Sequence, residues 1–150
     1  VAVMIAANPA AFLASLEDRE GAGAPVKMPD GSFAPRLPGF RRWMWDGEFA
    51  GTIGLRWQHG TVELPPYCLG HIGYSVPAWK QRRGYATSAL LSMLEEARKL
   101  GLPYVELTTD PENLPSQKVI LAAGGTLVER FNKPPQFGNK PCLRFRIALA

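Results

Sequence analysis

Hydrophobic positions change their period several times along this chain, and each change marks an element. Phe12, Leu13 and Leu16 share one side of a short helix predicted over Pro9 to Glu20, with Asn8 as its N-cap and Pro9 at its first position. Gly21 to Gly39 is rich in Gly and Pro and reads as an irregular loop with a small hairpin around Asp30-Gly31. Arg41 to Trp45 and Phe49 to Gln58 then read as two strands joined at Asp46-Gly47, a pair suited to tight hairpin turns. Gly51, Ile53, Leu55 and Trp57 share one face of the second strand by alternation. Pro65-Pro66 breaks the pattern. Leu69 to Val76 restores it, with His71, Gly73 and Ser75 on one face and Ile72, Tyr74 and Val76 on the other.

From Gly84 to Leu100 the period is helical. Ala86, Leu90, Leu94 and Ala97 form a stripe flanked by Leu91 and Met93, and Gly101 and Pro103 end it. Tyr104 to Thr109 is the next strand. A strand, a crossover helix and a strand predict a parallel pair. Pro115 to Ala123 reads as a second helix closed by Gly124-Gly125, and Thr126 to Phe131 as a strand. After the Pro-rich Lys133 to Pro141, Leu143, Phe145, Ile147 and Leu149 alternate with Arg144, Arg146 and Ala148 in a closing strand with one buried face. The sum is an α/β domain with a mixed sheet, whose strand order the pattern does not give.

The 150 residues suit a single domain, 1–150, large enough to bury a core. The chain begins without an initiator Met, which points to a native N-terminal segment upstream. Its apolar start, Val1 to Ala7, lacks the basic leader of a signal peptide, and no apolar run approaches the ~20 residues of a membrane span. The net charge of +4 would suit a polyanionic partner. Its basic residues gather at Lys80 to Arg83, however, which favours a local phosphate site over a nucleic-acid stripe. Cys68 and Cys142 lack metal-ligand spacing and form no disulfide scaffold, so a reduced, cytoplasmic setting without a metal is expected.

The densest chemistry lies at Gln81-Arg82-Arg83-Gly84-Tyr85-Ala86, where two arginines lead into small residues at a helix start. Free N–H groups of a helix N-terminus favour an anion, and small residues let it come close. The residues alone also permit a plain helix entry with solvated arginines. The pattern Gln-x-x-Gly-x-Ala, between a strand and a helix, resembles the acyl-coenzyme A loop of the GNAT N-acetyltransferase superfamily. His71 to Val76 resembles that family's central strand, Thr108 to Ser116 its strand-to-helix segment, and Gly124-Gly125 the pair ending the helix. The similarity runs over roughly Trp43 to Phe131, is fair at the closing strand and poor over the first forty residues.

The resemblance implies a mixed, mostly antiparallel central sheet flanked by helices, with a splayed parallel pair formed by Leu69 to Val76 and Tyr104 to Thr109. It implies acetyl-CoA as co-substrate and transfer of its acetyl group to a primary amine in a ternary complex. The alternative is an acyl-CoA-binding sensor without turnover. Contacts to the cofactor are expected from the Val76 backbone, Gln81, Arg82, Arg83, Gly84, Tyr85, Ala86, Asn113 and Ser116. Lys80 and Lys118 are read as solvent-facing, and Tyr85 as either core or cofactor-facing. Asn113 and Ser116 also suit helix initiation.

An amine must be uncharged to attack, so a base is needed. His71 is the first candidate, although a hydrogen-bonded structural histidine fits the same position equally well, and Glu63 is the second, with Glu106 and Asp110 behind them. Related enzymes carry a tyrosine acid where this chain has Ile120. Tyr74, Tyr85, Tyr104 or Ser116 could replace it through water, or the thiol could leave unassisted. Acceptor identity is nearly silent: Arg41 and Arg42 could attract an acidic acceptor, and the four tryptophans fit a pocket wall or the core. A homodimer through the C-terminal strands is an expectation from relatives.

Overall fold

A computed structural model describes residues 9–149; the Asn8 cap and the apolar start lie outside them. Helix α1 covers Pro9–Ala14 and is followed by strand β1, Glu17–Asp18. A small hairpin, β2 (Val26–Lys27) and β3 (Phe33–Ala34), turns at Asp30-Gly31 as expected. There the Asp30 carboxylate accepts the Ser32 N–H and hydroxyl. Strands β4 (Gly39–Trp45) and β5 (Phe49–Arg56) form the second predicted hairpin, and β6 spans Ile72–Ser75. Helix α2, Tyr85–Lys99, leads to β7 (Tyr104–Thr109), helix α3 (Leu114–Ala122), β8 (Thr126–Asn132) and β9 (Pro141–Ala148).

Strands β1-β4-β5-β6 form one sheet and β7-β9-β8 another, so β9 inserts between two strands that precede it. Phe40, Leu55 and Ile72 stand in register across the first sheet and are buried. They pack with Leu90, Met93, Leu94 and Ala97 of α2 and with Val105, Leu107, Phe145 and Ile147 of the second sheet. Each such side chain contributes about 1.5–3 kcal/mol on burial. The helical stripe is rotated slightly from the predicted one: Met93 is buried and Leu91 exposed.

One expectation needs correction and a second is not confirmed by strand pairing. The first helix stops at Ala14 rather than Glu20. The Ser15 hydroxyl turns back to the Phe12 carbonyl, and Asp18 accepts the N–H groups of Ala22 and Gly23. These side chains offer the backbone turns in place of helix, and Glu17 pairs with Phe40 in β1. The second concerns the parallel pair: among the described residues every strand ladder is antiparallel. Strands β6 and β7 meet at one end, where the His71 N–H donates to the Glu106 carbonyl (2.8 Å). The returning bond is diverted, because the Glu106 N–H donates to the His71 imidazole Nδ1 (2.9 Å) instead of a carbonyl.

Candidate active site

The Gln81–Ala86 loop forms a concave backbone. Arg82 has φ 62° and Gly84 φ 78°, both left-handed, with Arg83 between them not so, the alternation of hand from which anion-binding concavities are built. Gly84 is the N-cap of α2, yet no side chain caps that end and its first turn holds no acidic residue. The partial positive charge of the helix start is therefore unanswered by the protein. Arg82 and Arg83 are exposed, and among the described residues neither has a carboxylate within 4.0 Å. Gln81 does not face the same point: its side-chain amide donates to the Val76 carbonyl (3.0 Å) and ties the loop to the end of β6.

A clamp centred on one buried lysine holds this loop to the β4–β5 hairpin. Lys80, expected in solvent, is 6% exposed. Its ammonium donates to both oxygens of Asp46 (2.9 and 3.0 Å) and lies 3.3 Å from Glu48. The Tyr85 hydroxyl donates to the same Asp46 (2.5 Å). The hydrogen bonds from Tyr85 and Lys80 lower the Asp46 pKa to about 2, and Asp46 in turn raises that of Lys80. Sequence reasoning read Asp46 as a turn residue only. Its partners lie 34 and 39 residues away, so no local signal marks them.

Beyond the His71–Glu106 junction a cavity of about 240 Å³ separates the two strands, lined by Gly73 and Tyr74 on β6 and by Thr108 and Thr109 on β7. Asn113, Ser116 and Ile120 close it from α3. Asn113 caps that helix by accepting the Ser116 N–H (3.2 Å), so its helix-initiating role is real. The Ser116 hydroxyl pairs with the Tyr74 hydroxyl (2.7 Å), and burial pushes the Tyr74 pKa up. Thr109 is 6% exposed and its hydroxyl has no hydrogen-bond partner. A buried orphan of this kind is costly. A ligand of amide character in the slot would remove that cost. The sequence carries no signal that singles out Thr109 within the Thr108 to Ser116 segment.

The candidate bases fare differently from expectation. His71 is fully buried, and its Nε2 lies 2.8 Å from the Val62 carbonyl. A carbonyl only accepts and the Glu106 N–H only donates, so the ring is neutral with its proton on Nε2. Burial holds its pKa below the ordinary value of 6.5. Its one lone pair is already engaged, so His71 lacks what a general base requires. Glu63 is exposed in the turn before β6 and lines a separate cavity with Glu106, Glu129, Arg144 and Arg146. It does not line the slot. Glu106 is paired with Arg146 (2.9 Å), and Asp110 with Lys133 (2.9 Å) at the slot's rim.

Residues 27–126 match the family model of the acetyltransferase (GNAT) domain. This chain belongs to the GNAT family. Solved structures give the same fold. A Bacillus subtilis acetyltransferase in complex with CoA aligns with a TM-score of 0.59 at 17% identity, over 75% of this chain and 78% of that one. A putative acetyltransferase from Salmonella typhimurium with acetyl-CoA aligns at 0.56 and 14% identity, over 69% of this chain and 60% of that one. A putative ribosomal-protein-serine acetyltransferase from Vibrio cholerae aligns at 0.57 and 23% identity, over 73% and 64%. The chain thus covers less than two thirds of the last two. No curated protein matches it.

In this GNAT domain a second cavity, of about 620 Å³, lies over the opposite sheet face. Tyr67 and Phe137 contribute apolar wall, and Arg41 and Arg56 reach in from β4 and β5. Thr108 lines both this cavity and the slot. Among the described residues no group of three His, Cys, Asp or Glu side chains could hold a metal ion, and no helix is long and apolar enough to cross a membrane.

Proposed function

We propose that this chain is an acyl-CoA-dependent N-acetyltransferase, moving an acetyl group from acetyl-CoA to a primary amine in a ternary complex. The observation that carries the reading is the uncapped start of α2, with left-handed Arg82 and Gly84 and two arginines without a carboxylate partner among the described residues, together with a slot at β6 that holds an orphaned Thr109 hydroxyl. N–H groups from Arg82 to Ala86 hold the diphosphate, with Arg82 and Arg83 as counter-charges. The slot between β6 and β7 takes the pantetheine arm, with Val76, Asn113, Ser116 and the Thr109 hydroxyl as its polar partners. Tyr85 and Gln81 act at one remove, by fixing the loop through Asp46 and Val76.

Bound acetyl-CoA supplies an acetyl thioester already activated for attack. The amine enters from the second cavity and reaches the slot beside Thr108. Its proton passes to solvent through the open cavity, since neither His71 nor Glu63 presents a free lone pair there. The Tyr74–Ser116 hydroxyl pair, which lines the slot where Ile120 cannot serve, would hold the proton that a leaving thiol needs and would regain it from solvent. Burial keeps the Tyr74 phenol protonated, as a donor requires.

The engaged His71 and the apolar Ile120 favour one second reading, an acyl-CoA-binding module without turnover. Calorimetry with CoA and thiol release across an amine panel separate the two. Binding with thiol release supports the enzyme, binding without it supports the module, and absence of binding at millimolar CoA removes both.

A further inference from the structure

The second cavity carries a charge pattern that the transfer reaction does not require. Lys27, Arg36, Arg41 and Arg56 line it against a single carboxylate, Asp18. Asp18 is already engaged by the Ala22 and Gly23 N–H groups (2.8 and 2.9 Å), with Arg36 3.9 Å away. Arg36 is held on the Ala24 carbonyl (2.8 Å). For Arg41 and Arg56 there is no carboxylate within 4.0 Å among the described residues. Both stand on the same sheet face as diagonal neighbours, because Arg41 pairs with Gly54, two residues before Arg56.

Arg56 is also aimed. Its Nε donates to the Gly70 carbonyl (2.7 Å), and a Cβ added at Gly73 would lie 3.8 Å from both terminal nitrogens. The fork therefore faces Gly73, beside the slot. The Cys68 thiol abuts the same guanidinium, but burial raises its pKa and keeps it neutral. Gly54 and Gly73 stand in register with Arg41, so the floor between the two arginines is bare backbone. Neither glycine has a positive φ, and a Cβ at Gly54 would meet nothing closer than the Phe40 carbonyl at 3.5 Å. The chain conformation does not demand glycine at either position. Open space does.

We infer that the acceptor is an amine bearing a carboxylate or phosphate close to its nitrogen, held by the Arg56 fork with Arg41 beside it. This rests on the transferase reading. A forked guanidinium matches a two-oxygen anion better than any neutral group. It also repels polyamines, which lack an anion to offset their charge.

The test pairs acceptors with and without the anion, phenylalanine with phenylalaninamide and phosphoethanolamine with ethanolamine, and expresses each kcat/KM per unprotonated amine, because the anion also raises the amine pKa. In thiol-release assays with saturating acetyl-CoA, one anionic member is expected to exceed its neutral partner at least tenfold in kcat/KM. The two pairs distinguish carboxylate from phosphate. Arg56→Gln should shrink that preference to within about threefold while CoA affinity by calorimetry stays unchanged. A neutral amine favoured over both anionic ones overturns the inference while leaving the transferase reading intact. Absence of CoA binding sinks that reading first. A second measurement needs no turnover: thermal stabilisation by phenylalanine or phosphoethanolamine. It should be present in wild type, and weaker by tenfold in ligand concentration in Arg56→Gln and in Gly54→Val. Equal stabilisation of all three proteins, or of none, rejects the site.

Discussion

Replacing Gly84 with Val probes the anion loop through its backbone. Gly84 sits at φ 78° and ψ 7°, and a Cβ there would meet nothing within 4 Å. Any effect therefore comes from conformation and not from a clash. Holding an L-residue in this region costs about 1–2 kcal/mol, with a β-branched side chain at the upper end. The free loop relieves that strain by leaving the left-handed basin, which turns its N–H groups away from the diphosphate. Two lost charge-assisted bonds would amount to roughly 3–6 kcal/mol. Binding can instead pull the loop back, so the smaller quantity governs the loss. A strain of about 1–2 kcal/mol leaves roughly 3–20% of molecules competent and weakens affinity about 5–30-fold. Calorimetry with CoA, beside a thermal melt, measures both sides. Gly84→Asn is the control, since Asn tolerates this conformation and should bind within about threefold of wild type. A Val variant that binds as wild type does would refute the reasoning. So would an Asn variant that fails equally, because side-chain bulk would then be the cause.

Further outcomes follow from the same geometry. His71 is buried neutral with a lowered pKa, so below 6.5 the unfolded chain binds a proton that the folded one does not. Stability is therefore full above that pH and falls as pH drops, by up to about 1.4 kcal/mol per unit; denaturant melts at several pH values should show this slope for wild type and a flatter one for His71→Asn, and matching slopes would remove the assignment. His71→Ala should also lower stability by roughly 2–4 kcal/mol, by orphaning the Glu106 N–H and the Val62 carbonyl, while the pH profile of kcat/KM keeps tracking the free-amine fraction of the acceptor. Tyr74→Phe should slow thiol release about tenfold with CoA affinity held within threefold, and an unchanged kcat would end its role as proton donor. Ile120, fully buried, should cost about 2–5 kcal/mol as Ile120→Ala in denaturant melts, and a loss under 1 kcal/mol would contradict its place in the core.

What could be read from sequence was local. Asp30-Gly31 and Asp46-Gly47 announced their hairpins because the turn chemistry sits within four residues. Gly84 announced the start of α2 for the same reason. The misreadings depend on partners distant in sequence. His71 reads from sequence equally as a base or as a bonded structural histidine, and what engages it is Glu106, 35 residues on. Lys80 looked solvated until Asp46 closed over it. Nothing local marks Arg56, since its aim is set by the Gly70 carbonyl and the bare floor by strand register. The splayed parallel pair is not confirmed by any ladder: β6 and β7 meet at His71 and Glu106, where a side chain takes the place of one backbone bond.

The insertion of β9 between β7 and β8 has a consequence for biogenesis. During synthesis β7 and β8 emerge first, and neither can pair until Pro141–Ala148 has left the ribosome. Until then each presents hydrogen-bonding edges with nothing to satisfy them, an invitation to mispairing between nascent chains. The half of the molecule that carries α3 and one wall of the slot thus acquires its shape late, and a stall just short of that strand would leave a chain suited to chaperone capture rather than to binding a nucleotide.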